Sequence, residues 1–320
     1  MEAGGRVAGP HWWSVQPPDT DTPPLSALRA YVEIVVVFGA FFAAAIAAAT
    51  FSLAGHDPLN PVRGWTQAVP ASMSQVATTV LCVLVPVLLA SRRGSGAADL
   101  GLIRPGTVKL STGIRIAAWA VLALIVGAVV TGDLATGGLS EGPFSYPRLT
   151  LNLFHAAQAG FLEEIIVLAF VVTTLEQARR PRPEIIAAAL LLRASYHIYY
   201  GAGVAGIFIW ASVFLWLYLR FRTIVPLIIV HSSWDVLIFL AHRWHFIAGI
   251  EVVAVVALFA TALILWLIGR QAGNEPMPML AAPGWYPDPG GSGTWRWYDG
   301  RTWVPEPEPY WEPNPPSATP

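Results

Sequence analysis

The sequence predicts an all-α polytopic membrane protein of about eight transmembrane helices, with a small β-rich C-terminal cytoplasmic appendage. Three observations support this fold class. Of 320 residues, 55% are hydrophobic and only 12% are charged, and the mean hydropathy is +0.54, far above what a soluble domain of this size shows. Long apolar runs recur along the chain, and the composition changes abruptly after about residue 282.

The apolar runs are long enough to serve as membrane spans, since a helix needs about 20 mainly apolar residues to cross the hydrocarbon core. Gly201 and Gly203 interrupt the run around 184–220, so a count of seven spans is the alternative to eight. The predicted spans are 30–54, 69–90, 113–131, 151–175, 184–200, 204–220, 223–241 and 247–269.

Basic residues predict the orientation of these spans. They are concentrated in alternate loops, and the positive-inside rule makes those loops cytoplasmic. The first 28 residues lack a basic region followed by a short apolar core, so no cleavable signal is expected. We therefore predict a multi-pass protein of the cell membrane with both termini cytoplasmic. The basic residues in these loops are Arg92, Arg93, Arg104, Lys109, Arg115, Arg179, Arg180, Arg182, Arg220 and Arg222.

The chain divides into five predicted regions. A Pro-rich tail, 1–28, precedes the membrane body, 29–270, and a linker, 271–282, leads to the appendage, 283–304. Asp299-Gly300 stands between two aromatic runs, a pattern typical of a β-hairpin. The region resembles a short tryptophan-rich domain of unknown function found beside bacterial membrane segments. Two interpretations stay open: a small stable knob that binds no ligand, and a site that binds a peptide or protein partner through its aromatic residues. The last region, 305–320, is a Pro-rich tail predicted to be disordered.

Two adjacent acids, Glu163 and Glu164, lie inside an otherwise apolar span. An ionisable side chain at this depth costs about 2.5 to 3.5 kcal/mol on insertion scales, so it usually faces the bundle interior and has a function. Later spans supply further polar groups, Arg193 with His197 and His231 with Asp235. Residues four apart lie on one face of a helix. Each pair can therefore point into one cavity with the acids.

The order and spacing of these residues over 150–241 resemble the CPBP family, the CAAX-protease and Abi-like intramembrane endopeptidases. The family motifs are Glu-Glu-x-x-x-Arg, Phe-x-x-x-His and His-x-x-x-Asn or Asp. This chain departs from them twice: Leu168 stands where the family has arginine, and Arg193 stands where the second motif often has Phe. We hypothesise that Arg193 replaces the missing arginine as the partner of Glu164.

The resemblance implies roles by position. Glu163 is implied as the general base that activates water, with His197 helping to hold that water. His231 and Asp235 are implied to face the developing oxyanion, although an ionised Asp has only acceptors. Asp235 must therefore be protonated or orient His231. Tyr196 is read first as part of an aromatic belt and second as a residue lining the cavity.

No cofactor is expected, but a divalent metal such as zinc is the alternative. The resemblance leaves the question open, because the family has been regarded both as glutamate-dependent and as metal-dependent. If a metal is bound, the ligands predicted for it are Glu163, His197 and His231. The single cysteine, Cys82, is predicted to be a small core residue.

These observations predict an intramembrane endopeptidase that cuts a peptide or membrane-protein substrate at the lipid bilayer. The net charge of −1 gives no indication of a nucleic-acid partner. The bacterial character of the tail favours a small peptide or a protein terminus over a prenylated target. Two alternatives stay open: a catalytically inactive scaffold or immunity protein that binds partners through the appendage, and a proton or ion relay in a transporter.

Overall fold

Each of the eight predicted spans contains a helix. The computed structural model describes residues 25–56, 64–102, 110–136, 144–272, 284–287 and 295–298. The helices, in chain order, are α1 (Ala27–Leu53), α2 (Trp65–Ser91), α3 (Leu110–Leu134), α4 (Tyr146–Leu162), a π-helix (Glu163–Phe170), α5 (Val171–Gln177), α6 (Arg182–Ser195), a 3₁₀-helix (Ile198–Gly203), α7 (Val204–Phe221), α8 (Val225–Arg243) and α9 (His245–Ala272).

Among the described residues, five helical stretches are long and apolar enough to cross a membrane by length and composition. They are Ala27–Leu53, Trp65–Ser91, Leu110–Leu134, Tyr146–Gln177 and Ile198–Phe221. The apolar parts of α8 and α9 are shorter, Val225–Ala241 and Val252–Leu265. The chain is therefore a multi-pass membrane protein, and α6, with 14 residues, is too short to span the bilayer as a straight helix.

The stretch from Tyr146 to Gln177 is one continuous helical rod with a π-helical segment in its middle. All eight residues of the π-helix, Glu163–Phe170, are buried. The sequence pattern does not distinguish this segment from ordinary α-helix, and π-helical turns occur frequently at functional sites. The π-helix begins at the acidic pair.

The predicted span 184–200 ends earlier than expected. Helix α6 stops at Ser195, and the chain continues as a 3₁₀-helix through Gly201, which has a φ of 58°. A positive φ strains any residue with a side chain, so the glycine permits this bend. His197 consequently lies just beyond α6, and the expectation that Arg193 and His197 share one helix is wrong.

Three of the basic loops meet at one end of the bundle. Gln177 Nε2 donates to Ser95 Oγ at 2.6 Å, and Ile224 N donates to Gly101 O at 3.0 Å. The Leu25 amide, just before α1, donates to Gln177 O at 3.2 Å. The start of α1 and these loops therefore share one side, as the distribution of basic residues predicts. Which side is cytoplasmic stays a prediction.

Small residues allow two close helix crossings. A Cβ on Gly160 of α4 would stand 2.7 Å from the Ser232 amide nitrogen of α8. A Cβ on Gly127 of α3 would stand 2.8 Å from Gly206 O of α7. Separations below 3.0 Å leave no room for a side chain. These glycines let α8 and α7 approach the helices that they cross, as small residues do in membrane bundles.

A second unit, Leu263–Pro320, contains the end of α9 and two short strands, β1 (Gly284–Pro287) and β2 (Trp295–Tyr298). The strands pair antiparallel, with Trp285 opposite Trp297. The predicted Asp299-Gly300 turn lies outside the described residues, as do the predicted tails over 1–24 and 305–320 and most of the linker. A β-rich appendage over 283–304 stays a prediction.

Candidate active site

The two acids occupy the first positions of the π-helix, near the middle of the Tyr146–Gln177 rod. Glu164 is fully buried, and Glu163 retains 8% of its exposure. Adjacent residues of a helix normally point in different directions, yet both carboxylates here contact the same guanidinium. The wider i→i+5 turn of the π-helix brings successive side chains closer in direction. This local geometry is what joins the two acids in one site.

Arg193 reaches the acids from the last turn of α6. Its Nη1 donates to Glu163 Oε2 at 3.0 Å and to Glu164 Oε1 at 2.9 Å, and its Nη2 donates to Glu164 Oε2 at 3.1 Å. Nη2 also donates to the Glu163 carbonyl oxygen at 3.2 Å. The pairing of Arg193 with Glu164 that the sequence suggested is present. Leu168, at the position of the family arginine, is buried among apolar residues.

His231 of α8 completes a buried ion cluster, which we define as Glu163, Glu164, Arg193 and His231. His231 Nδ1 lies 2.7 Å from Glu164 Oε1. Because an ionised carboxylate only accepts, Nδ1 carries a proton and donates it. The opposite nitrogen, Nε2, lies 3.6 Å from Asp235 Oδ2 and 4.0 Å from Glu163 Oε2. His231 Nε2 therefore faces the two carboxylates that Arg193 does not hold bidentately.

Asp235 lies one helical turn after His231 and is the more open of the two. Its side chain is 32% exposed, whereas that of His231 is 4% exposed. The predicted i,i+4 arrangement of this pair on one face of α8 is confirmed. The crossing at Gly160 fixes α8 against α4 beside this pair, because Ser232 Oγ donates to Ala157 O of α4 at 2.8 Å.

His197 is fixed through the end of α6 rather than through a side chain. Its Nδ1 lies 2.9 Å from the Arg193 carbonyl oxygen. A carbonyl oxygen only accepts, so Nδ1 carries the proton and Nε2 keeps its lone pair. His197 thus presents a basic nitrogen, and its partly exposed ring lies against that of Tyr196 at a centroid distance of 4.5 Å, tilted by 42°.

Tyr196 belongs to the wall of the site rather than to an aromatic belt. Its ring, 5% exposed, stacks on Phe42 of α1 at 4.5 Å. No hydrogen bond of ordinary geometry joins the buried hydroxyl to a described residue. Its burial between Phe42 and His197 agrees with the second of the two interpretations that the sequence allowed, a residue that lines the site.

The alternative metal ligands do not form a metal-binding group. Within the described residues, no cluster of three or more His, Cys, Asp or Glu side chains is arranged to hold a metal ion. Glu163 is hydrogen-bonded to Arg193, whose positive charge opposes a cation at the same carboxylate. The residues present therefore do not fit the zinc site considered from the sequence.

A cavity of about 460 Å³ lies between α2 and α4. Its lining is apolar and includes Trp65, Val69, Met73 and Phe154. A smaller cavity of about 200 Å³ follows along the same helices and reaches Phe161, two residues before Glu163. Neither cavity is lined by a member of the ion cluster.

Sequence reasoning missed the aromatic residues that pack against the ion cluster. Trp210 of α7 lies under Arg193, with the guanidinium carbon 4.7 Å from the ring centroid, and its ring meets that of His231 at 5.0 Å. Phe214, one turn later, lies 6.0 Å from His231. A signal was present, since tryptophan in membrane helices is concentrated at the interfaces, and Trp210 lies well inside its span.

The fold and the site together define a class: a multi-pass membrane protein with buried carboxylate, imidazole and guanidinium groups from the π-helix, α6 and α8. Residues 146–237 match the family model described as type II CAAX prenyl endopeptidase, Rce1-like. The segment that carries the site is therefore similar to this family of CAAX-type intramembrane proteases, as the motifs indicated. Comparison with curated proteins and with solved structures gave no match.

Proposed function

We propose that the chain is an intramembrane endopeptidase in which Glu163 activates a water molecule that attacks a peptide bond. The observation that carries this proposal is that the two acids differ in burial and in the number of hydrogen bonds that they accept. Glu164 accepts two hydrogen bonds from Arg193 and one from His231, and it is fully buried. Glu163 accepts one side-chain hydrogen bond from Arg193 and retains some exposure. The hydrogen bonds of Glu164 give it a structural role, which is to hold Arg193 and His231 in place. Glu163 has fewer partners, and we assign it the role of general base.

In the proposed reaction, water lies between the Glu163 carboxylate and His197 Nε2. Glu163 takes one proton, and the oxygen attacks the carbonyl carbon of the peptide bond. The tetrahedral intermediate then collapses, the C–N bond breaks, and Glu163 returns the proton to the leaving amine. General-base catalysis of this kind contributes about 10² to 10⁴-fold.

His231 stabilises the oxyanion when Nε2 also carries a proton. Glu164 fixes the ring through Nδ1, so Nε2 points toward Glu163 and Asp235. An ionised Asp235 would repel the oxyanion, because it has only acceptors. We assign Asp235 the orientation of His231 Nε2, which it contacts at 3.6 Å.

The substrate is a peptide, or the terminus of a membrane protein, at the bilayer. We place both chain termini on the cytoplasmic side, as the positive-inside rule predicts from the arginine-rich loops. The start of α1 contacts the end of α5 beside those loops, which supports this side for the N-terminus. The predicted appendage over 283–304 would lie on the same side.

A fluorescence-quenched peptide library tests the proposal on the purified full chain in detergent. Glu163→Gln keeps the size of the side chain and removes its basicity, so kcat should fall by about 10² to 10⁴-fold. Glu176→Gln is the matched control, because Glu176 also faces an arginine, Arg222, but lies outside the ion cluster. Equal cleavage by Glu163→Gln and the unmodified chain would contradict the proposal.

The second candidate is a catalytically inactive scaffold with the same fold. The observation in its favour is the contact between Glu163 and Arg193, because a hydrogen-bonded, charge-paired carboxylate is a weaker base. The same assay separates the two functions. Absence of cleavage by a folded full chain, across a library varied in sequence and lipidation, would favour the scaffold.

A further inference from the structure

Trp210 of α7 contacts both basic members of the ion cluster, Arg193 and His231. Its side chain is 5% exposed. The Arg193 guanidinium lies over its ring at 4.7 Å, and the His231 ring meets it edge to face at 5.0 Å with an interplanar angle of 68°. Arg193 comes from α6 and His231 from α8. One indole ring therefore links two helices that supply the site.

Within the part of the chain that the structure describes, one nitrogen of the Arg193 guanidinium is not held by a hydrogen bond. Both Nη atoms are directed at Glu163 and Glu164, but the buried Nε has no hydrogen-bond partner among the described residues. The face of an indole ring carries partial negative charge and attracts a cation, most strongly of the aromatic side chains. The ring thus limits rotation of the guanidinium away from the two acids.

The ring is itself held by the backbone of α3. A Cβ on Gly127 would stand 2.6 Å from Trp210 Cδ1 and 3.1 Å from Trp210 Cβ. Any side chain at 127 would push the indole out of its position. The ring of Phe214, one turn later on α7, meets the indole edge to face at a centroid distance of 5.1 Å.

We propose that Trp210 is a positioning residue that sets the places of the Arg193 guanidinium and the His231 imidazole, with Gly127 as the slot for its ring. For catalysis, this inference rests on the proposed function. Trp210 touches neither water nor peptide in the proposed reaction. It acts by keeping Arg193 on the two acids and His231 Nε2 toward Glu163.

Site-specific replacement of Trp210 by tryptophans with one to four fluorine atoms tests this role. Fluorine withdraws charge from the ring face while nearly preserving the shape of the ring, so it weakens the cation contact with little change in packing. The same replacements at Trp216 are the matched control, because Trp216 is on α7 but 50% exposed. Cleavage is followed with the quenched peptide library, and diethyl pyrocarbonate modification of His231 is followed by mass spectrometry, with exposed His56 as the internal reference.

We expect kcat to fall stepwise with fluorine number, by about 10- to 30-fold in total, with KM unchanged. Modification of His231 should become faster in the same order, while His56 and the Trp216 series stay constant. A merely structural role would lower the melting temperature without ordering kcat and His231 reactivity by fluorine number, and this result would overturn the inference.

The two proposals fail in different ways. If the unmodified chain cleaves no peptide, the proposed function fails, but the reactivity of His231 across the fluorine series still decides whether Trp210 positions the ring. If cleavage is present and neither kcat nor His231 reactivity responds to fluorine at 210, Trp210 is not a positioning residue.

Discussion

Arginine–carboxylate pairs occur in two regions of this molecule, and they differ in stoichiometry. At the end of the bundle where the basic loops meet, Arg93 pairs with Glu33 at 3.0 Å and Arg222 pairs with Glu176. Each of these arginines has one carboxylate partner. Inside the bundle, Arg193 has two carboxylate partners, Glu163 and Glu164. His231 Nδ1 lies 2.7 Å from Glu164 Oε1, and His231 Nε2 lies 3.6 Å from Asp235 Oδ2.

The difference separates charge used for structure from charge used for chemistry. One carboxylate is enough to neutralise one guanidinium, and burying a second is costly. An extra buried acid needs a further reason to be there. Glu163 is the extra acid, since Glu164 alone satisfies the fork of Arg193 with two hydrogen bonds.

The largest effect is expected for Arg193→Leu. The change leaves Glu163 and Glu164 buried without their cation, and breaking a buried pair from one side costs about 3 to 5 kcal/mol of unfolding free energy. Unfolding of the purified protein in detergent measures it. Cleavage of the peptide library should be lost together with the stability.

The matched variant is Arg193→Leu combined with Glu164→Leu. It removes the cation and one acid together, so less charge is left uncompensated and much of the stability should return. Activity should stay low, because Glu164 also holds His231 Nδ1. If the single variant folds and cleaves as well as the double variant, Arg193 does not pair with Glu164 in the way described.

The sequence predicted that the two acids lie close to Arg193 and His231, but not how the backbone brings them together. Apolar runs located the helices, and the missing arginine at Leu168 pointed to Arg193, because an intramembrane guanidinium needs a nearby carboxylate. The π-helix at Glu163 and the early end of α6 at Ser195 are local backbone choices without a distinct periodicity. They depend on packing against other helices, which one segment of sequence does not contain. The contacts of Trp210 depend on packing in the same way.

Two variants of Asp235 test whether this residue orients His231 in the inner region. Asp235→Asn keeps an oxygen near His231 Nε2 and adds donors, so kcat should stay within about tenfold of its original value. Asp235→Leu removes the group that orients His231, and loss of an oxyanion donor costs about 10² to 10³-fold in kcat. Cleavage of the peptide library measures both variants.

Asp133→Leu provides the control for Asp235, because Asp133 lies exposed near the end of α3. It should not alter kcat. If Asp235→Leu retained the original kcat, Asp235 would not orient His231 and would have no role in the chemistry of the inner region.

A smaller effect is expected when the crossing that brings α8 to the acids is opened. In Gly160→Ala, the new methyl group would meet the Ser232 amide at 2.7 Å and Ile228 O at 2.9 Å. Over-packing of this kind costs about 1 to 3 kcal/mol, and it moves His231 away from Glu164. The melting temperature and kcat should both fall.

Gly113→Ala is the matched control for Gly160, since a Cβ on Gly113 meets nothing within 4 Å. Its stability should be unchanged or slightly higher, because alanine favours a helix over glycine. Equal responses of the two glycines would show that the α4–α8 crossing does not set the position of His231.

The smallest effect is expected in the outer region, for Glu176→Gln. Arg222 is 40% exposed, so water screens the pair, and exposed ion pairs contribute only about 0 to 1 kcal/mol. The difference from the original chain should shrink further at 1 M salt, where the Debye length is about 3 Å. The loss caused by Arg193→Leu should persist at that salt concentration, because the inner charges are buried. Unfolding measured at low and high salt therefore distinguishes the two regions. If the loss of unfolding free energy caused by Arg193→Leu disappeared at high salt, the inner charges would be as screened by water and salt as the outer ones, and the contrast between the two regions would be wrong.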